Sequence, residues 1–294
     1  MSIDIRYDSV FVTRERKVYD SCVDQRKKHM YFTQLCHLLQ QMKETEALVL
    51  GGSRAGNSYD EKSDYDLYVY CSCVPSSSSR KEILEQCCDY IELGNSFWEL
   101  EDDCTLKNGV DIDILYRNLD DFSAGIADVV NGGNAHNGYT TCMWHNLLHS
   151  RIIYDRDGRY AKLQSSYDIA YPSRLKEAII HNNLRLLTGN LPSYDRQIHK
   201  AIGRNDLLSI NHRTAAYMES YFDIIFAMNE LTHPGEKRMM EYALANASIL
   251  PEDFEKNIHK LMNHLYREPS LVDIIIEHMN SALIQCLQKN NMLK

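Results

Sequence analysis

The sequence predicts an α+β chain, with a sheet confined to the N-terminal half and helices alone after it. Three observations predict it. Apolar runs of strand length occur at Ala47–Leu50, Asp66–Cys71 and Val110–Tyr116, all in the first half. Helical periodicity separates these runs, as expected for a mixed β-sheet flanked by helices. From Pro172 onward only helical patterns recur, punctuated by Gly189, Pro192, Pro234, Pro251 and Pro269. At 294 residues the chain has room for two domains, expected at 1–158 for the sheet-bearing half and 159–294 for an all-α helical bundle.

The elements follow in order. Thr13 is placed to cap a helix over Arg14–Glu44, where Val18, Cys22, Leu35, Leu38, Leu39 and Met42 recur at helical spacing. Ala47–Leu50 reads as a strand, and Gly51-Gly52-Ser53 as the turn that ends it. A polar loop leads to Ser63 and the strand at Asp66–Cys71. Pro75 and the serines Ser76–Ser79 form a turn that caps a helix over Arg80–Tyr90. A short strand is expected near Phe97–Leu100, and Val110–Tyr116 alternates as another. Lys107-Asn108-Gly109 between them points to an antiparallel hairpin. Helices are expected at Leu119–Val130 and Tyr139–His149, a glycine loop at Asn131–Asn134, and a strand at Ile152–Tyr154. The second half should hold helices at Ser173–Leu187, Tyr194–Ile202, Leu207–Leu231, Gly235–Ala245, Pro251–Tyr266 and Pro269–Gln288.

Charge and cysteine usage narrow the partners. Lys and Arg total 32 against 41 Asp and Glu, a formal net charge of -9. Such a field repels phosphate polymers and attracts small cations, so nucleic acid is not an expected partner. The nine cysteines are odd in number and contain no Cys-x-x-Cys pair. They read as reduced thiols of a cytoplasmic protein rather than a disulfide framework or a zinc site. The segment from Met1 to Asp8 is charged and lacks a secretory core, and no apolar run nears the roughly 18 residues that cross a bilayer. No membrane association is expected.

Chemistry concentrates between the first two strands. Asp64 and Asp66, two residues apart, share one face of a strand. The glycine turn before them lets backbone N–H groups approach an anion with no Cβ in the way. Together they suggest a phosphate cradle facing a divalent-cation site. Asp111 and Asp113 likewise share a face of their strand. If the two strands are neighbours, the carboxylates converge and repel unless a cation sits among them. An oxygen-only set of this kind suits Mg²⁺ or Mn²⁺. A further carboxylate can take a proton from an attacking hydroxyl. In the second half, Lys237 and Arg238 open a predicted helix against its dipole, which the phosphates of a nucleotide would offset.

Gly52-Ser53, a spacer, Ser63-Asp64-Tyr65-Asp66-Leu67 and the later strand carrying Asp113 resemble the nucleotidyltransferase superfamily of the DNA-polymerase-β type. The two-part layout is similar to the small antibiotic nucleotidyltransferases that modify aminoglycosides or lincosamides, and to their bacterial relatives. The resemblance is specific over Ala47–Tyr116, looser through Gly158, and architectural beyond. It implies that Gly52 and Ser53, with Arg54 and Ser63 beside them, hold the triphosphate of ATP or another NTP. It implies that Asp64 and Asp66 ligate the metal, and that Asp113 or Asp111 supplies the third carboxylate as ligand or base. The implied reaction transfers a nucleoside monophosphate, AMP from ATP, to a hydroxyl of a small molecule, and releases pyrophosphate. The acceptor would be an aminoglycoside or lincosamide-like compound. Two alternatives keep the fold: nucleotidylation of a protein or tRNA, as in toxin–antitoxin systems, and nucleotide sensing without catalysis.

Other motifs lead nowhere comparable. His145 and His149 lack the intervening Glu of a zinc protease, and Ser165, Ser166 and Ser209 lack a nucleophile-elbow context. Gly132-Gly133 matches no phosphate-loop fingerprint, and His136 beside it is a candidate only for bordering a substrate.

Overall fold

A computed structural model of the chain describes residues 30–56 and 63–293. The expected helical residues 14–29, with the Thr13 cap, lie outside the described residues. The fold is α+β and separates into two compact units. The first runs to Phe122 and resumes over His149–Ser165, and the second comprises Ser123–Leu148 and the chain from Ser166 onward.

In the first unit, helix α1 (residues 30–39) precedes β1 (Thr45–Leu50) and a four-residue helix, α2 (Gly52–Ala55). Next come β2 (Tyr65–Cys71), α3 (Ser77–Cys87), β3 (Cys88–Asn95), β4 (Glu101–Leu106) and β5 (Asp111–Asn118). Helix α4 (Leu119–Val130) begins in this unit, which also holds β6 (Arg151–Asp155) and most of α6 (Arg159–Tyr167). The six strands form one sheet in the order β3-β4-β5-β2-β1-β6. Only β2 and β5 pair in parallel, and the other neighbours are antiparallel.

Strand alternation gives the sheet two unlike faces. One face carries Leu48, Leu50, Leu67, Val69, Ile112 and Ile114 against Phe32, Leu35 and Leu39 of α1 and Leu84 of α3, a continuous apolar core. The other carries Asp66, Tyr68 and Tyr70 on β2 and Asp113 and Arg117 on β5. Its far end is filled by Tyr70 against Phe122 and Tyr160, with ring centroids 5.0 and 4.8 Å apart. There Arg117 lies over Tyr68 and makes two bonds of 2.6 and 2.7 Å to Glu99. The near end of the same face is left to carboxylates.

The second unit is helical: α5 (Cys142–His149, of which His149 counts with the first unit), α7 (Ser173–Leu187), α8 (Tyr194–Gly203), α9 (Leu207–Met228), α10 (Met239–Asn246), α11 (Phe254–His264) and α12 (Val272–Lys289). Its centre is α9, where every residue from Ser220 to Met228 is buried, including Tyr221, Phe222, Ile225 and Phe226. Buried Asp223 on α9 accepts from the Thr140 backbone N–H (3.1 Å), the Thr140 hydroxyl (2.6 Å) and Asn183 Nδ2 (3.0 Å). Asn183 also accepts from the Gly138 N–H, so α7 and α9 pin the preceding loop with fully used polar groups. Among the described residues no helix is long and apolar enough to cross a membrane.

Several elements differ from the sequence reading. The first helix stops at residue 39 rather than Glu44, because β1 starts at Thr45 and needs the intervening turn. The serine turn caps α3 as expected, with the Ser79 N–H donating to Ser76 Oγ at 3.2 Å. That helix nevertheless ends at Cys87, and β3 begins at the next residue. The strand expected at Phe97–Leu100 is the connection between β3 and β4, where Phe97 and Trp98 are 86% and 92% exposed. Helix α10 starts at Met239, so Lys237 and Arg238 precede it rather than open it.

Candidate functional site

Parallel pairing of β2 with β5 aligns Tyr65 with Ile112 and Asp66 with Asp113. In a pleated sheet, residues in register point to the same face, so the two carboxylates are lateral neighbours. Antiparallel pairing of β5 with β4 aligns Asp113 with Asp103, and β4 with β3 aligns Asp103 with Glu92. Acids therefore stand side by side on four consecutive strands. Burial first, and then the charges of Asp66, Asp103, Asp64 and Glu101, push the Asp113 carboxyl up to about 6.

Asp111 takes a different position. It is exposed, and its Oδ1 accepts from the Thr105 hydroxyl at 2.7 Å. Of the two candidates for the third carboxylate, Asp113 is the one in register with Asp66. Asp103 and Glu101 were not singled out from the sequence. Reflecting Asp113 through the hairpin centred on Asn108 leads to Asp103, and that symmetry is the signal that could have found it.

The glycine turn abuts this row. Gly51 N–H donates to the Asp66 carbonyl at 2.8 Å, which ties the end of β1 to β2. Gly52 has a φ of +57°, and a Cβ there would stand 1.7 Å from Asp66 Oδ2. Only a residue without a side chain lets the turn lie against that carboxylate. Gly52 and Ser53 are both exposed and open α2, whose first N–H groups lack acceptors within the helix.

Arg54 is the buried member of α2, 7% exposed. Its Nε donates to the carbonyls of Ser63 (2.7 Å) and Asp64 (3.0 Å), and its guanidinium lies 4.1 Å over the Tyr65 ring. Tyr65 in turn stacks on Phe32 at 4.1 Å. Arg54 thus braces the segment that carries Asp64, and Ser63 meets it through its backbone carbonyl. Lys237 belongs to the second unit and is exposed.

A divalent cation can be tested against this donor set. Among the described residues, no group of three or more His, Cys, Asp or Glu is arranged to hold a metal by itself. What stands there is an all-oxygen partial set: Asp66 and Asp113 in register, with Asp64 near enough to raise Asp113. Mg²⁺ is commonly bound by one or two carboxylates and completed by water and substrate phosphates, and the residues fit that arrangement rather than a closed protein cage.

No protein-family model matches the sequence, and no curated protein matches it. Among solved structures, a nucleotidyltransferase-like protein from Exiguobacterium sibiricum is 11% identical, with 90% of this chain and 75% of that chain covered and a TM-score of 0.41. A CCA-adding enzyme in complex with ATP is 12% identical over 94% and 85% of the two chains, with a TM-score of 0.31. The Thermotoga maritima CCA-adding enzyme complexed with tRNA is 10% identical over 83% and 78%, with a TM-score of 0.25. Nothing about the site follows from likenesses at this level.

Proposed function

We propose that the chain is a metal-dependent nucleotidyltransferase, which moves a nucleoside monophosphate from an NTP, ATP in the first instance, to a hydroxyl of a small molecule. The observation that carries this reading is the register of Asp66 with Asp113 beside a glycine turn that no side chain could occupy. Asp64 and Asp66 would hold Mg²⁺ or Mn²⁺, which neutralises phosphate charge when bound. The N–H groups of Gly52 and Ser53 would hold the triphosphate, and Arg54 would fix Asp64 from behind. Asp113 would complete the acidic set and would accept the proton of the acceptor hydroxyl. The acceptor oxygen bonds to the α-phosphorus as pyrophosphate leaves. The acidic field favours an acceptor that is cationic as well as hydroxylated, as an aminoglycoside is.

The test is a mass-spectrometric screen of hydroxylated small molecules with the protein, ATP and Mg²⁺, read as gain of a nucleoside monophosphate. The Asp66→Asn, Asp113→Asn double variant should lose the product by about a thousandfold or more. Transfer that survives the double change sinks the mechanism. A labelled macromolecular band in lysate, with no small-molecule product, would move the target to a protein or tRNA.

A further inference from the structure

Three consecutive acids, Glu101-Asp102-Asp103, open β4. Strand alternation puts Asp102 on one face and its two neighbours on the other. Asp102 goes to the core, 0% exposed. It stands in register with Leu93 of β3 and Ile114 of β5, an acid in an apolar row. Arg80 of α3, also buried, meets it with Nη1 to Oδ1 at 2.5 Å and lies 4.8 Å from the centre of the Tyr116 ring. A buried ion pair is weak evidence for stability, because apolar residues of like volume commonly serve as well. It differs from them in direction: hydrophobic contact has none, and a hydrogen bond fixes the atoms it joins.

The same Oδ1 of Asp102 accepts the Gly94 N–H at 2.9 Å. Gly94 is the extra residue of a β-bulge: Leu93 pairs with Asp102 and Asn95 with Glu101, so two steps on β3 meet one on β4. Its φ of +73° is the left-handed conformation that glycine supplies at such bulges. One carboxylate oxygen thus ties α3, β3 and β4 together at the bulge. Bulges re-aim side chains beside them. Here the next residue is Asn95, whose Nδ2 donates to Asp103 Oδ2 at 2.9 Å while its Oδ1 accepts the Phe97 N–H at 3.0 Å. Asp103 is the acid directly across from Asp113, and cross-strand Cβ atoms in such pairs stand about 4.5–5.5 Å apart.

We propose that Asn95 is a positioning residue for the carboxylate row, and that the Arg80–Asp102 pair holds it in place through the Gly94 bulge. Asn95 fixes the turn of the Asp103 carboxylate, and Asp103 borders Asp113. Asn95 acts through Asp103, and Arg80 and Asp102 act through Asn95. The inference rests on the nucleotidyltransferase reading, in which Asp113 takes the proton of the acceptor.

The experiment compares the full chain with two variants. Arg80→Met combined with Asp102→Leu replaces the ion pair by apolar residues. Asn95→Asp keeps the acceptor for the Phe97 N–H and removes the donor to Asp103. By nitrogen-15 NMR, the double variant should exchange the Gly94 amide and the Asn95 side-chain amide about tenfold faster than wild type, the loss of one hydrogen bond, at an unchanged urea midpoint. Asn95→Asp should lower kcat for nucleotidyl transfer about tenfold and leave KM for ATP unchanged, a split that general loosening of the fold would not give. Wild-type exchange at both amides in the folded double variant overturns the proposal, as does a wild-type kcat in Asn95→Asp. If the double variant does not fold, Asn95→Asp decides alone. A wild-type chain that protects the Gly94 amide yet moves no nucleotide to any acceptor would instead remove the nucleotidyltransferase reading, and with it the catalytic meaning of Asn95, while the tether stood.

Discussion

Asp113 in the sheet and Asp223 in the helical unit are both pushed up to about 6, and they could hardly be more differently placed. Around Asp223 burial is opposed by donors: Thr140 and Asn183 bond to it and favour its charge. Around Asp113 burial is reinforced by Asp66, Asp103, Asp64 and Glu101. A carboxylate surrounded by donors is finished as part of the fold. A carboxylate surrounded by carboxylates lacks a positive charge, and that lack is what a cation and its phosphates can supply.

Exchanging the two roles by mutation gives the largest expected effect. Asp113→Asn should cut nucleotidyl transfer by at least about a hundredfold, while Asp223→Asn should keep the wild-type rate per folded molecule, measured by product mass. Equal losses would erase the distinction between the two acids.

Stability should run the other way. Asp223→Ala leaves the Thr140 and Asn183 donors unpaired and should cost about 3 kcal/mol in urea unfolding. Asp113→Asn in cation-free buffer should be neutral or stabilising, because it removes like-charge repulsion.

The pH dependence separates them further. Asp223 moves from an ordinary 3.8 to about 6 in the fold. Between those values the folded chain holds more protons than the unfolded one. Its contribution is therefore complete below pH 3.8 and is lost as pH rises through 6, about 3 kcal/mol in all. Buried His233 acts oppositely. Burial, with His145 nearby, lowers it from 6.5 to about 3, so its contribution is present above pH 6.5 and lost as pH falls toward 3. Asp223→Asn should remove its own share of the loss on the rising side with or without Mg²⁺. Asp113 adds to the same loss, and saturating Mg²⁺ should remove its share. A wild-type profile indifferent to Mg²⁺ would count against the charge cluster.

The smallest effect sets a floor. Exposed Arg159 pairs with Glu46 at 2.6 Å and with Asp120. Arg159→Ala should change unfolding free energy by less than about 1 kcal/mol, as opposite charges in water contribute little.

Elements with strong periodicity were legible in the sequence. Leu119–Val130 and Ser173–Leu187 form helices with the bounds their apolar spacing predicts, and the Asn108-Gly109 turn makes the expected hairpin, with Gly109 at a φ of +79°. Helix α2 was not, since four residues carry no periodic signal. Strands β3 and β4 were missed because their acids mask the alternation. Asp102, a charged residue in sequence, is buried against Arg80 at 2.5 Å. Phe97-Trp98 drew the strand to the wrong place because apolarity alone does not show which way a hairpin tip faces. Within the site, the pair Asp64 and Asp66 was local and readable. A physical reason to favour Asp113 over Asp111 came only with the strand register, and the inward turn of Arg54 onto the Ser63 and Asp64 carbonyls depends on Tyr65 and Phe32, which no local pattern connects to it.

Gly52 and Asp66 also constrain how this sequence can change. A φ of +57° by itself would tolerate Asn, but the 1.7 Å approach to Asp66 Oδ2 would not. Position 52 cannot drift first: a side chain there requires the carboxylate at 66 to shrink beforehand. In a descendant that had abandoned the acid, the glycine would be released as well. The occupant of position 52 therefore serves as a marker, legible without a structure, of whether the carboxylate behind it is still kept.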